Sequence, residues 1–298
     1  MSRTFRPRQR AELSVVDVET GEVSVVHTSR QIVVEAPNWS RDGDWLVVNG
    51  DGRLFRVAVD GSGGLVEIPM TGVPAIDTNH VLSPDGATVY VSADDGHIYA
   101  VPLEGGEGRR VTNDHGPRFA HYVHGVSPDG ATLSYIGAKT KKDGRVRTDV
   151  FLIPAAGGED VRITDDQIPD DGAELGPDGE WIYFSSERAA RKPGQSHLFR
   201  IALDRIVCEQ LTDDKRVNWF PHPSPDGKRV AYVSYPKGTK ANKPDVDDVV
   251  VRLLEPDGTK RDLATITGGQ GTMNVPSWSP DGTRFAFVAY PVEEKNGR

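Results

Sequence analysis

Six copies of one short phrase govern what this chain can fold into. The phrase is an apolar residue, Ser or Gly, Pro or Arg, then Asp-Gly and an apolar strand. It begins at Trp39, Leu82, Val126, Leu175, Pro223 and Trp278, as in Leu82-Ser83-Pro84-Asp85-Gly86. Counted on Ser40, Ser83, Ser127, Gly176, Ser224 and Ser279, the spacings are 43, 44, 49, 48 and 55 residues. Self-similarity at this period, with about four short strands per unit, predicts a β-propeller.

Each Pro-Asp-Gly is a turn with a mechanism. Proline presets φ, aspartate bonds the backbone ahead of it, and glycine accepts positive φ. Strand-like runs follow, at 44–48, 87–91 and 228–233 for example, and no segment carries sustained helical periodicity. With four strands per blade labelled a to d, the Ser-Pro-Asp-Gly turn joins a to b. One strand remains after Gly282, at 284–290, and two precede the first repeat, at 12–19 and 22–28. The last blade is therefore expected to take a and b from the C-terminal side and c and d from the N-terminal side. That closure leaves no open sheet edge. The expectation is an all-β, six-bladed propeller of four-stranded antiparallel blades forming one domain over 11–292, with tails at 1–10 and 293–298.

Composition narrows the function classes. A net charge of −9 argues against a nucleic-acid surface spread over the molecule, and no apolar run reaches the ~18 residues of a membrane span. Residues 1–10 carry four arginines and no apolar stretch of a secretory signal, and the single cysteine, Cys208, is read as a small core residue. A reducing cytoplasm is the expected compartment. Against the acidic background, the b–c connections of blades three and four are cationic. The first holds Lys139, Lys141, Lys142, Arg145 and Arg147 against Asp143, the second Arg188, Arg191 and Lys192. These loops either collect an anionic ligand or are solvated surface.

Strand a lines the axis of a propeller, so the residues two and three positions before each turn Ser or Gly can reach the channel. Three of the eight histidines, His80, His124 and His222, fall among those twelve positions, and Glu174 takes the place in a fourth blade. Asp170, Asp171, His121, Asn218, Asn274 and Gln270 approach the same rim. Imidazole with carboxylate or amide oxygen suits zinc, manganese or iron, and in a wet channel it equally serves to hold water and backbone groups. His80 and His124 are one residue out of phase with Glu174 and His222, so strand alternation turns them to different faces unless bulges realign them. His27, His97, His115 and His197 lie outside the pattern and read as surface residues. Gly268-Gly269-Gln270-Gly271 reads as a flexible approach to the last blade, and Trp39 and Trp278 as inter-blade packing.

The run Pro276-Ser277-Trp278-Ser279-Pro280-Asp281-Gly282, nearly repeated at 37–43, resembles the TolB-type propeller repeat. The resemblance spans about 11–292 and implies the fold; TolB itself is a periplasmic protein with an additional N-terminal domain and Tol and Pal partners. A thinner likeness links 218–227, with His222-Pro223 and Pro225-Asp226-Gly227, to oligogalacturonate lyases, propellers that hold manganese near the axis through histidines and a glutamine. By that likeness His222 is implied as a ligand, with His80, His124 and Gln270 as candidates by position. The leading expectation is a cytoplasmic metal-dependent lyase or hydrolase acting on a small anionic or oxidised carbohydrate. His80, His124, His222 and Gln270 would hold a divalent manganese, zinc or iron ion, Glu174 would act as base or ligand, and Arg188 and Arg191 would steer the anion. The rival is a non-catalytic scaffold that binds a protein or ligand across one rim.

Overall fold

The computed structural model describes residues 3–239 and 245–293. Five four-stranded antiparallel sheets succeed one another around an axis. Blade one runs from Glu35–Trp39 at the centre through Trp45–Gly50 and Arg53–Ala58 to Val66–Ile68 outside. The innermost strands of blades two to five are Ile76–Leu82, Phe119–Val126, Asp170–Leu175 and Val217–Pro223. Blade six closes the ring as expected from the sequence: Arg284–Ala289 pairs with Ala11–Asp17, which pairs with Val23–Ser29. Its strand a is reduced to a bridge between Trp278 and Phe285. No α-helix occurs among the described residues, and none is long and apolar enough to cross a membrane.

The repeated phrase is a hydrogen-bonded unit. In five blades the turn serine donates Oγ–H to the turn aspartate at 2.5–2.6 Å and accepts the amide five residues on at 2.9–3.0 Å. Blade four uses Gly176 instead, where an added Cβ would stand 3.0 Å from Asp178 and 3.1 Å from the Tyr183 ring. The cores lie between blades. Val16 and Val18 of blade six pack with Ala231 and Val233 of blade five, and Leu13 packs with Leu46 and Val48 of blade one. Each such fully buried valine or leucine contributes about 1.5–3 kcal/mol. Trp39 and Trp278 are buried in these seams, as expected.

Every innermost strand of blades one to five breaks register just before its turn, between Glu35 and Asn38, Ile76 and His80, Val123 and Gly125, Asp171 and Glu174, and Trp219 and His222. In blades one, four and five the residue four before the turn Ser or Gly has positive φ: Ala36 at 52°, Gly172 at 62° and Phe220 at 55°. Serines of the preceding blade's strand b hold two of these bulges. Ser92 Oγ accepts the Val123 amide at 2.9 Å, and Ser185 Oγ accepts the Phe220 amide at 3.0 Å.

Four expectations are corrected. Cys208 is exposed, because its strand is the outermost of blade four. His197 is buried, at the start of an inner strand of that blade. The cationic segment 139–147 is mostly the end of a long hairpin, Thr132–Thr140 with Val146–Pro154, and Arg147 is held by Asp149 and Asp165. Gly269 and Gly271 are buried and crowded rather than flexible: a Cβ on Gly271 would lie 2.5 Å from Glu35 Oε1, and one on Gly269 would collide with Asp245.

Candidate ligand cavity at the channel mouth

The bulges decide which way the axial side chains face. His222 and Glu174, in phase on neighbouring blades, meet: His222 Nδ1 lies 2.6 Å from Glu174 Oε2, and His222 Nε2 donates to Met273 O at 3.2 Å. His80, out of phase, turns back to blade one, where Nε2 donates to Val47 O at 3.3 Å and Nδ1 has no partner. Burial pushes His80 down to about 4, so its ring is neutral. His124 reaches across the ring to Asn274 O at 3.2 Å from Nδ1, with Nε2 3.6 Å from Asp171. Burial and then the nearby His222 outweigh that bond, holding His124 down at about 3.

The partners Met273 and Asn274 belong to residues 269–274, which lead into blade six and include a 3-10 turn over Gln270–Thr272. The segment is fixed to blades on several sides. Met273 O meets blade five, Asn274 O meets blade three, and Asn274 Nδ2 donates to Asn79 Oδ1 of blade two at 2.6 Å. Thr272, Met273 and Asn274 are essentially inaccessible. The axis is plugged. The sequence-level ligand set therefore does not converge: among the described residues, no three histidine or carboxylate ligand atoms in the channel lie within 4.8 Å of one another. Gln270 lines the space above the plug.

That space is a cavity of about 570 Å³ at the rim carrying the b–c and d–a connections. Seven carboxylates line it: Glu35, Asp51, Asp77, Asp94, Asp170, Asp171 and Glu187. Two are paired, Glu35 with Arg3 at 2.5 Å and Asp170 with Arg188 at 3.1 Å. The other five have no cationic partner among the described residues, since His124 is neutral. Burial raises Asp77 to about 7 despite two hydrogen bonds from Asn79, and raises Asp171 to about 6 despite the Gly172 amide. The Asp171 side chain is still 41% open to the cavity, so its charge is available to a ligand. The phenol of Tyr122 is raised by burial and then by Asp77, Asp171 and Asp94 around it. Trp219 is a second aromatic residue in the lining, and the buried Oδ1 atoms of Asn49 and Asn274, two further lining residues, lack partners.

The cationic collar expected from the sequence is absent from this mouth. Arg188 is committed to Asp166 and Asp170 and lies over the Phe184 ring at 4.6 Å, and Arg191 is outside the cavity lining. The cation that does line it, Arg3, comes from the N-terminal segment, which docks through Arg3 and Gln9 on Asp245 and stacks Arg3 over Tyr290 at 4.4 Å. Sequence reasoning missed Arg3, Asp77, Asp94 and Tyr122. The available signals were Asp77-x-Asn79, a spacing at which aspartate captures the amide two residues on, and the acid-rich Asp94-Asp95 turn.

An uncharacterized protein of Agrobacterium fabrum, Atu1656, is 36% identical over 291 residues, covering 95% of this chain and 94% of that one. The chain belongs to its family of TolB-like six-bladed propellers. A solved Agrobacterium tumefaciens protein, provisionally named a TolB, superposes with a TM-score of 0.84 at 34% identity, over 95% of this chain and 99% of that one. An oligogalacturonate lyase in complex with manganese shares the fold, with a TM-score of 0.59 at 17% identity over 94% of this chain and 78% of its own. No family model matches the sequence.

Proposed function

We propose that this TolB-like propeller is a binding protein for a small organic cation, an amine or amino sugar, taken into the channel-mouth cavity. The observation that carries the reading is that five unpaired carboxylates line the same cavity as the aromatic residues Tyr122 and Trp219. Carboxylate and π-face together match an ammonium group by charge and by quadrupole. The buried amide oxygens of Asn49 and Asn274 add acceptors and no donors. An anionic sugar would meet like charge at the same wall.

The test is thermal unfolding with putrescine, glucosamine, galacturonate oligomers or manganese added in turn. The amines are expected to raise the melting temperature, because a ligand held only by the folded state stabilises it by about 2.7 kcal/mol at a hundredfold excess over its Kd. Asp77→Asn with Asp171→Asn should abolish the rise. A rise with galacturonate oligomers alone would overturn the reading.

A second reading takes its support from the manganese-bound lyase. Since no three of their oxygens lie within 4.8 Å of one another, the cavity carboxylates would have to close around a divalent ion, which would then reverse the local charge and admit an oxidised carbohydrate for metal-assisted elimination or hydrolysis. Its signature is stabilisation by galacturonate oligomers only when manganese is present, with turnover.

A further inference from the structure

Away from the axis, in the seam between blades two and three, lies a cluster that the cavity does not use. One ligand atom each from His115, His121 and Asp160 fall within 4.8 Å of one another. His121 is 2% exposed. Its Nδ1 donates to Gly96 O at 2.7 Å, which fixes the tautomer and leaves the Nε2 lone pair free; that nitrogen is buried and has no partner. An orphaned, oriented imidazole nitrogen carries a desolvation penalty that a ligand would relieve.

Asp160 is held the way metal-binding carboxylates are held. Its Oδ1 accepts from Tyr135 Oη at 2.6 Å, and its Oδ2 accepts from Asn113 Nδ2 at 2.6 Å and meets His115 Nε2 at 2.9 Å. His97 stacks on His121 at 5.6 Å and Phe119 packs edge-on at 4.8 Å, so His121 has an aromatic wall behind it. The His115 side chain, 36% exposed, leaves a way in from solvent.

We propose that His115, His121 and Asp160 form a zinc site that pins the connection entering blade three, through His115, to that blade's own inner strand and c–d turn. Two imidazoles and one carboxylate, with water in a fourth position, are a donor set zinc takes readily. The carbonyl behind His121 and the phenol behind Asp160 are the outer-shell contacts that orient such ligands. The site is independent of the acidic cavity and of what that cavity binds.

The experiment is zinc titration by calorimetry of the full-length protein after chelator treatment, with cobalt(II) absorption as a second reading on the parent. One zinc per chain is expected, with the strong visible bands of four-coordinate cobalt. His115→Ala, at a half-exposed position where folding is secure, and Asp160→Asn should each weaken zinc at least tenfold. Tyr135→Phe should weaken it by roughly tenfold through the carboxylate. Asp77→Asn should leave zinc binding unchanged. Absence of stoichiometric zinc in the parent, or unaltered affinity in His115→Ala, would overturn the assignment.

Discussion

The 2.6 Å contact between His222 Nδ1 and Glu174 Oε2 joins blade five to blade four, with the other nitrogen of the same ring spent on Met273 O. Both side chains are buried, and burial raises the Glu174 carboxyl above its ordinary value although the histidine opposes the shift. This histidine therefore holds the ring and the plug together, and with both nitrogens engaged it has no lone pair to spare for a metal without losing a bond. Its loss would strand a carboxylate.

Accordingly, His222→Ala should destabilise the fold by about 3–5 kcal/mol, the range for breaking a buried pair from one side. His222→Ala combined with Glu174→Gln should recover part of that loss, since no unpaired charge remains. Urea unfolding of both single variants and the double variant measures the coupling; a loss below ~1 kcal/mol in His222→Ala would sink the clamp.

Binding of a permanently charged probe such as tetramethylammonium should depend on pH through the cavity alone. Asp77 and Asp171, raised to about 7 and about 6, are protonated below those values and ionised above them. Affinity is expected to rise between pH 5 and 8, most steeply around 6–7, and Asp77→Asn should shift the midpoint of the profile downward. A flat profile by calorimetry would count against these two carboxylates as the binding groups.

Arg3→Ala should strengthen binding of the same probe and weaken the fold together. The guanidinium neutralises Glu35 and Asp245, so its removal adds negative charge to the cavity wall while leaving two buried acids short of a partner. A lower melting temperature with tighter probe binding is the expected pair of results. Lower temperature with unchanged affinity would confine Arg3 to a structural role.

Gly271→Ala tests the plug. Its Cβ would sit 2.5 Å from Glu35 Oε1 and 2.6 Å from Tyr290 Oη, both anchored, so the segment must move. A loss of about 1–3 kcal/mol is expected, as for other overpacked sites. Alanine at exposed Gly144, where a Cβ would touch nothing but φ is 81°, separates crowding from backbone strain.

The fold was legible because the phrase itself is the structure. Ser83, Asp85 and Thr88 close a single hydrogen-bonded loop, and the same atoms recur wherever the letters do. Ring closure followed from counting strands. The site was less legible, because it depends on bulges that carry no fixed letter: Ala36, Gly172 and Phe220 share one left-handed position with three different residues. Without that kink, strand alternation could say that His80 and His222 face apart, but not that His80 would end on Val47 O. Arg3 lies 32 and 242 residues from the two acids it pairs with, outside the repeat, where periodicity says nothing.

The segment at 269–274 also sets the direction of traffic. With Met273 and Asn274 buried across the axis beneath the cavity, a ligand that enters from the rim meets packed protein below it and leaves by the route it came. A polymer could not be threaded along the axis; only a free chain end, or a molecule small enough to fit within 570 Å³, could be accommodated. The propeller is thus built to grip termini and small molecules from one side, a cup rather than a conduit.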